Sequence, residues 1–250
     1  MLITERVAEL ASSRSGDLTV KELCIGVGYT GVVLSDGRCG IAYTVRNSLG
    51  SQCGIIEEAG SLRGMSARDA IKMAMSINLA RASIGIATIN AILNTGYEPG
   101  QNAIDAMDVH EGDVIGTIGY FHPVMNKFSP KAKEVKVFER NLTEPGLYPD
   151  WAENIYLPQC DVVVITGVTF INKTIDHVLS LSKNAKEIVV MGGSVCMAPE
   201  IMKEYGVTVL AGSSIVDAGK MMQLIAEGGG GIEVQNYVQK LCVRLAPRRA

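Results

Sequence analysis

GDVIGTIGYFHPVMNKFSPKAKEVKVFERN, residues 112–141, begins with an apolar run at 114–118 and ends with another at 135–138. Neither run alternates, which is the pattern of parallel strands covered on both faces. Gly119 follows the first run and can turn the chain at a positive φ. The acid Glu139 closes the second. A strand, a glycine-bearing turn, a short irregular or helical crossing and a second strand with an acid at its tip form the first half of a Rossmann-like unit. Ligands of such sheets lie in the crevice beyond the carboxyl ends of the strands. That side carries Gly119, Tyr120, Phe121 and His122 after the first strand, and Glu139, Arg140 and Asn141 after the second.

The same unalternated runs recur at 162–165, 188–191 and 207–210, with helical candidates at 151–157, 173–182, 198–205 and 218–226. Strands alternating with helices predict right-handed crossovers and a doubly wound sheet. Residues 241–245 are a candidate last strand, and the glycines at 228–231 a flexible spacer. Toward the N-terminus the pattern differs. Residues 1–22 read as an amphipathic helix, and 24–27, 31–34 and 40–45 as short strands. The last two flank Asp36-Gly37, a hairpin turn signal. Ser66 caps a helix over 67–78, and a second helix over 83–94 is apolar nearly all round before Asn94 and Gly96 end it. The fold class expected is α/β, with an α+β domain over 1–98, a boundary at Tyr97-Glu98-Pro99-Gly100, and a Rossmann-like domain over 99–250.

Composition sets the class of partner. The chain is 47% hydrophobic and 20% charged, with a formal net charge of −3. Acids and bases are interspersed, so there is no basic footprint for nucleic acid. No apolar run reaches about eighteen residues, and Glu5 and Glu9 interrupt any leader-like start, so a cytoplasmic protein without membrane insertion is expected. The six cysteines are scattered without a Cys-x-x-Cys pair, which predicts reduced thiols and no preformed zinc site, even with Cys24, Cys39 and Cys53 in one domain. Arg244 opens a basic tail that reads as a solvated end. Met73, Met75, Met221 and Met222 fall at helical positions as core filler. A homo-oligomer is compatible with this composition.

The chemistry is expected at the strand ends. The first turn lacks Gly-x-Gly-x-x-Gly, and Pro123 removes one amide, which argues against a pyrophosphate cradle. Glu139 has two readings: a carboxylate for a ribose diol or other hydroxylated ligand, or a partner for Arg140 or a helix end. Thr166, Gly167, Thr169, Asn172 and Thr174 form a donor-rich rim suited to an anion or carboxylate, although Asn172 or Thr174 also serves as a helix cap. Gly192, Gly193 and Ser194 make another turn at the same edge. Without a Gly-x-Ser-x-Gly elbow, a serine hydrolase is not expected there. Gly212 precedes a similar turn, with Asp217 as a helix N-cap. His122 is the candidate acid, base or metal ligand, weighed against an ordinary surface histidine. His110 and His177 read as structural, and Cys196 as buried beneath its turn. Thr30, Arg46, Asn47, Glu57 and Glu58 are polar groups at the edge of the hairpins. Asn90, inside an apolar helix, must find a partner within its own domain or across the interface. The first domain is expected to close one wall of the crevice.

Several of these segments together resemble a family of uncharacterised prokaryotic proteins described as "putative heavy-metal chelation" proteins. The resemblance covers nearly the whole chain. In the first half it rests on Thr30-Gly31-Val32-Val33-Leu34 and Ile86-Ala87-Thr88-Ile89-Asn90-Ala91. In the second half it rests on residues 119–123, on Val137-Phe138-Glu139-Arg140 and Leu157-Pro158, and on the Thr-Gly-x-Thr-x-x-Asn-x-Thr core of 166–174. Ala211-Gly212, Val216-Asp217 and the glycines after Glu227 complete it. The resemblance implies an enolase N-terminal-like domain followed by a Rossmann-like one, and a role in metal metabolism. Two positions depart from it: His122 stands inside a turn that tends to read Gly-x-Phe-Pro, and Gly193 replaces the proline of Gly-Pro-Ser. The expected ligand is a polar small molecule, either a metal-chelate complex or chelator precursor, or a nucleotide-like group. The rival classes are a transferase using an adenosyl or nucleotide cofactor and a non-catalytic metal-chelate carrier.

Overall fold

The computed structural model describes residues 1–48, 54, 56–142 and 144–245; Cys53 and the basic tail beyond 245 lie outside them. Helix α1 (Ile3–Arg14) precedes an antiparallel meander of β1 (Val20–Ile25), β2 (Tyr29–Leu34) and β3 (Cys39–Tyr43). The β2–β3 turn forms where Asp36-Gly37 predicts it. Gly37 has φ +90°, and the Asp36 carboxylate accepts from the Arg38 amide at 3.1 Å and from Arg38 Nε at 2.7 Å. This turn fixes a register that puts Tyr29 opposite Tyr43.

Ser66 caps α2 (Ala67–Lys72), with Oγ accepting from the Asp69 amide at 3.1 Å. The helix tightens into a 3-10 turn at Met73–Met75 and stops short of the expected end. Asn78 then caps α3 (Leu79–Leu93) through Oδ1, starting it about one turn before the expected Ser83. The cap explains the shift, because a donor-satisfying side chain outweighs the apolar pattern that follows it. Small residues let α3 be buried all round. A Cβ on Gly40 of β3 would lie 2.2 Å from the Ala87 carbonyl, and one on Gly85 would lie 2.0 Å from the Ala74 amide.

The remaining chain builds a seven-stranded sheet. In order it contains α4 (Ala103–Ala106), β4 (Val114–Ile118), α5 (His122–Phe128), β5 (Glu134–Glu139), β6 (Tyr148–Pro149), α6 (Glu153–Tyr156) and β7 (Val162–Thr166). Then follow α7 (Val168–Ile171), α8 (Ile175–Leu181), β8 (Glu187–Met191), α9 (Pro199–Met202), β9 (Val209–Ile215), α10 (Ala218–Ala226) and β10 (Val238–Arg244). The spatial order is β10-β9-β8-β7-β4-β5-β6, all parallel except the antiparallel β10–β9 pair. The chain therefore works outward in one direction from β4 and then in the other from β7, which makes the β4–β7 gap the topological switch point.

Successive residues of the central strands serve two cores. Val163, Ile165, Ile188 and Val190 join the cluster holding α1 and α3, whereas Val162, Val164 and Val189 join Ile104, Val124 and Phe128 on the other face. Each such side chain contributes about 1.5–3 kcal/mol on burial. This double coverage is why the runs do not alternate.

Several expectations are corrected. The strand expected at 207–210 lies at Val209–Ile215, where pairing with β10 carries it past the apolar run. The rim at 166–174 holds a turn of helix, α7, and the two-residue β6 adds an edge that no pattern announces. The glycines at 228–231 are a packed helix end: the Gly229 amide donates to the Leu224 carbonyl at 2.8 Å, and a Cβ on Gly28 would come within 3.0 Å of the Gly229 carbonyl. Asn90 stays within its own half, donating to the Ile41 carbonyl at 2.9 Å. Asn94 crosses instead. Its Nδ2 donates to the carbonyls of Val195 at 2.9 Å and Ser213 at 3.1 Å, and its Oδ1 accepts from the Met197 amide at 2.9 Å.

Candidate functional site

A hollow of about 750 Å³ opens beyond the carboxyl ends of β4, β5, β7 and β8, with the β2–β3 hairpin as its roof. The β4 end supplies Gly119 at φ +95°, whose amide donates to the Phe138 carbonyl at 2.9 Å, and then Tyr120 and Phe121. The β5 end supplies Glu139, Arg140 and Asn141. Glu139 is half-buried and lines the hollow; the Tyr120 amide donates to its Oε1 at 2.8 Å, and no described residue donates to its Oε2.

From β7, from α7 and from the turn after it come Thr166, Thr169, Asn172 and Thr174. Asn172 Oδ1 accepts from the Thr174 amide at 3.1 Å and its hydroxyl at 2.7 Å, and its Nδ2 donates to no acceptor among the described residues. Between them, Lys173 is the one non-glycine residue with positive φ, +60°, among the described residues. Its Nζ donates to the Ser76 carbonyl at 2.5 Å, and burial brings its pKa down to about 8. The strain is held by this contact with the other half of the molecule.

The β8 end brings Gly192, Gly193 and Ser194. The amides of Gly193 and Ser194 donate to no carbonyl among the described residues, while Ser194 Oγ accepts from the Tyr43 amide at 2.8 Å. Paired free amides in a turn are an anion-binding feature. From the hairpin side come Tyr29, Tyr43, Val45, Arg46 and Asn47, with the Tyr29 and Tyr43 rings edge-to-face at 6.3 Å.

Three of the expected residues lie elsewhere. His122 starts α5, exposed and outside the hollow, with its ring 4.8 Å from that of Tyr120. Pro123 beside it suits a first helical turn, which directs the ring outward. Gly167 lets the β8 turn close in, because a Cβ there would meet the Val195 amide at 2.5 Å. Asp217 caps α10, accepting from the Lys220 amide at 2.9 Å, at an exposed position away from the hollow. Thr30, Glu57 and Glu58 are also outside it: Thr30 pairs with the Thr44 hydroxyl and Glu58 with Arg81.

Other lining residues were not anticipated. His177, read as structural, reaches the hollow from α8. Tyr29 and Tyr43 were accessible in principle through the hairpin register. Asp150 and Trp151 arrive on the 3-10 turn after β6 and Glu153 and Asn154 on the first residues of α6, helical pieces too short to give a periodicity that shows which face turns inward. Glu153 is 9% exposed, and burial, with Asp150 adding to it, pushes its carboxyl up to about 7. A strongly shifted acid in a cleft is a candidate functional position.

Metal-binding chemistry is poorly served by these side chains. Among the described residues no three of His, Cys, Asp and Glu gather as a metal set. The thiols of Cys24, Cys39, Cys160, Cys196 and Cys242 are free, and burial raises the pKa of each, to about 12 for Cys39 and Cys160. A protonated, enclosed thiol is a weak ligand. No helix among the described residues is long and apolar enough to cross a membrane.

With this geometry in place, similarity to known proteins gives a family. A family model described as "putative heavy-metal chelation" matches residues 102–244, and a second with the same description matches residues 8–93. An uncharacterized protein of Methanocaldococcus jannaschii is 29% identical over 235 residues, 88% of each chain. A protein of unknown function from Pyrococcus horikoshii has a TM-score of 0.82 at 26% identity, covering 98% of this chain and 100% of that one. One from Desulfitobacterium hafniense has a TM-score of 0.82 at 23% identity, covering 97% and 98%, and shares the fold. The family model covering β4 to β10 spans more than half of the chain, and the chain belongs to that family, described as "putative heavy-metal chelation".

Proposed function

We propose that the hollow binds a polar small molecule of metal-chelate chemistry: a chelator, its precursor, or the organic shell of a metal complex. The described residues do not fit a bare metal ion held by the chain itself, since no set of three ligands assembles and the thiols of Cys39, Cys160 and Cys196 are buried. In this reading residues 1–98 and 99–250 are two domains and the hollow is the cleft between them. The observation that supports it is the convergence of four strand ends and the hairpin on one cavity at the β4–β7 switch point. Glu139 would receive ligand hydroxyls on Oε2. Asn172, with the free amides of Gly193 and Ser194 and nearby Arg46, would receive a carboxylate or other anionic group. Thr166 and Thr169 support that rim, because Thr169 Oγ1 donates to the Thr166 carbonyl at 2.7 Å and Thr166 Oγ1 accepts from the Val168 amide at 3.3 Å.

Calorimetry with chelated metals and nucleosides tests the assignment. Glu139→Ala and Asn172→Ala should each weaken binding by about 10- to 100-fold, the worth of a hydrogen bond to a charged group. Equal affinity in the two variants and the parent protein would reject the site. Turnover of a precursor would mark an enzyme, and reversible stoichiometric binding without product would mark a carrier.

A second reading, a transferase using an adenosyl cofactor, draws on one feature. Glu139 ends the strand beside β4 in a sheet that runs outward from the switch point, where a ribose diol is held in nucleotide-binding sheets. Protection against thermal unfolding by adenosyl compounds, absent with chelates, would favour it.

A further inference from the structure

We propose that the wall formed by Trp151 and Glu153 is an organic-cation subsite, taking a protonated amine carried by the ligand. This rests on the hollow being a ligand site and adds the charge of one end of that ligand. Glu153 is 9% exposed and lines the cavity, yet no described residue donates a hydrogen bond to its carboxyl. A largely buried carboxyl that meets only the hollow and has no protein donor is costly to ionise, so its natural complement is an N–H-bearing cation entering that hollow. Trp151 lines the same wall, 65% exposed, with no described cation over its ring. An open indole face beside a carboxyl suits an ammonium group on both counts.

The surrounding charges agree. Asp150 shares the segment, accepting from the Trp151 amide at 2.9 Å and lying 3.8 Å from Arg140 Nε. Glu139 and Arg140 face the hollow from the end of β5, and His177 faces it from α8, which packs against α6. Around the hollow three acids face two arginines, Arg46 on the hairpin side and Arg140 beside Asp150, and no described ion pair gives Glu153 a cation of its own. A metal ion does not meet the need, because these carboxyls do not gather as a set of ligands. An ammonium beside Glu153 favours its ionised form, so binding releases a proton.

Trp151 is the chain's single tryptophan, so its fluorescence reports on this wall. The full chain is titrated with n-butylammonium chloride and with n-butanol, its uncharged counterpart, at pH 6 and pH 8. Butylammonium should bind more tightly than butanol, with roughly tenfold higher affinity at pH 8 than at pH 6, as a group ionising near 7 requires. Glu153→Gln should remove the pH dependence and bring the two probes level, with unchanged far-UV circular dichroism showing that it folds. Indistinguishable probes in the parent protein overturn the proposal, as does a pH trend that survives in Glu153→Gln. The parent-protein comparison decides even if the variant misfolds. If the probes are indistinguishable while Glu139→Ala and Asn172→Ala still lose ligand, the cleft stands and only the cation subsite falls.

Discussion

The burial of Glu153 should couple its protonation to folding. Its ordinary value is 4.5, and burial with Asp150 nearby raises it to about 7 in the folded chain. Between those values the folded state keeps a proton that the unfolded state has lost. Stability therefore falls as pH rises through this window, by at most about 3 kcal/mol, and the deficit is complete above the folded value. Glu153→Gln should melt higher than the parent protein at pH 8 and at the same temperature near pH 4. A variant that melts in parallel with the parent at both pH values would show that Glu153 is not the group responsible. Gly119 makes a second case. An alanine at φ +95° is strained, and its Cβ would sit 3.4 Å from Thr166 Cβ. Gly119→Ala should cost about 1–2 kcal/mol in denaturant unfolding. It should also weaken ligand binding by moving the Tyr120 amide off Glu139.

At the scale of elements, α3 shows how small residues set an interface. Gly40→Ala would drive a methyl group into the Ala87 carbonyl, because backbone rather than a flexible side chain stands in the way. The expected loss is about 2 kcal/mol or more, seen as a lower urea midpoint with an unchanged slope. The five main parallel strands were legible for a related reason: burial on two faces leaves an uninterrupted apolar run. Gly119, Glu139 and Asn172 could be placed because they follow such strands directly. The wall at Trp151 and Glu153 could not be placed, because its helical pieces are too short to carry a period and their orientation comes from packing. Asp217, which caps α10 as its position suggests, and His122 do not line the hollow, for the opposite reason. Each stands at a helix start, where capping and first-turn geometry, rather than the sheet edge, direct the side chain.

Across the whole molecule, one buried cluster runs from α1 and α3 into the faces of β7 and β8, and Asn94 ties the helix end to β9 and the β8–α9 loop. Asn94 is 1% exposed, so Asn94→Ala would leave two carbonyls and an amide without their partner. It should lower stability by about 2–4 kcal/mol, more than typical surface changes, as measured by chemical unfolding. The clamp also bears on what a guest can move. A rivet of three hydrogen bonds at the root of the hairpin half should keep the hairpin and the sheet in one arrangement when the proposed ligand binds. X-ray scattering profiles of the empty and saturated protein should then superimpose, and a contraction of the envelope on saturation would mean that the rivet gives way.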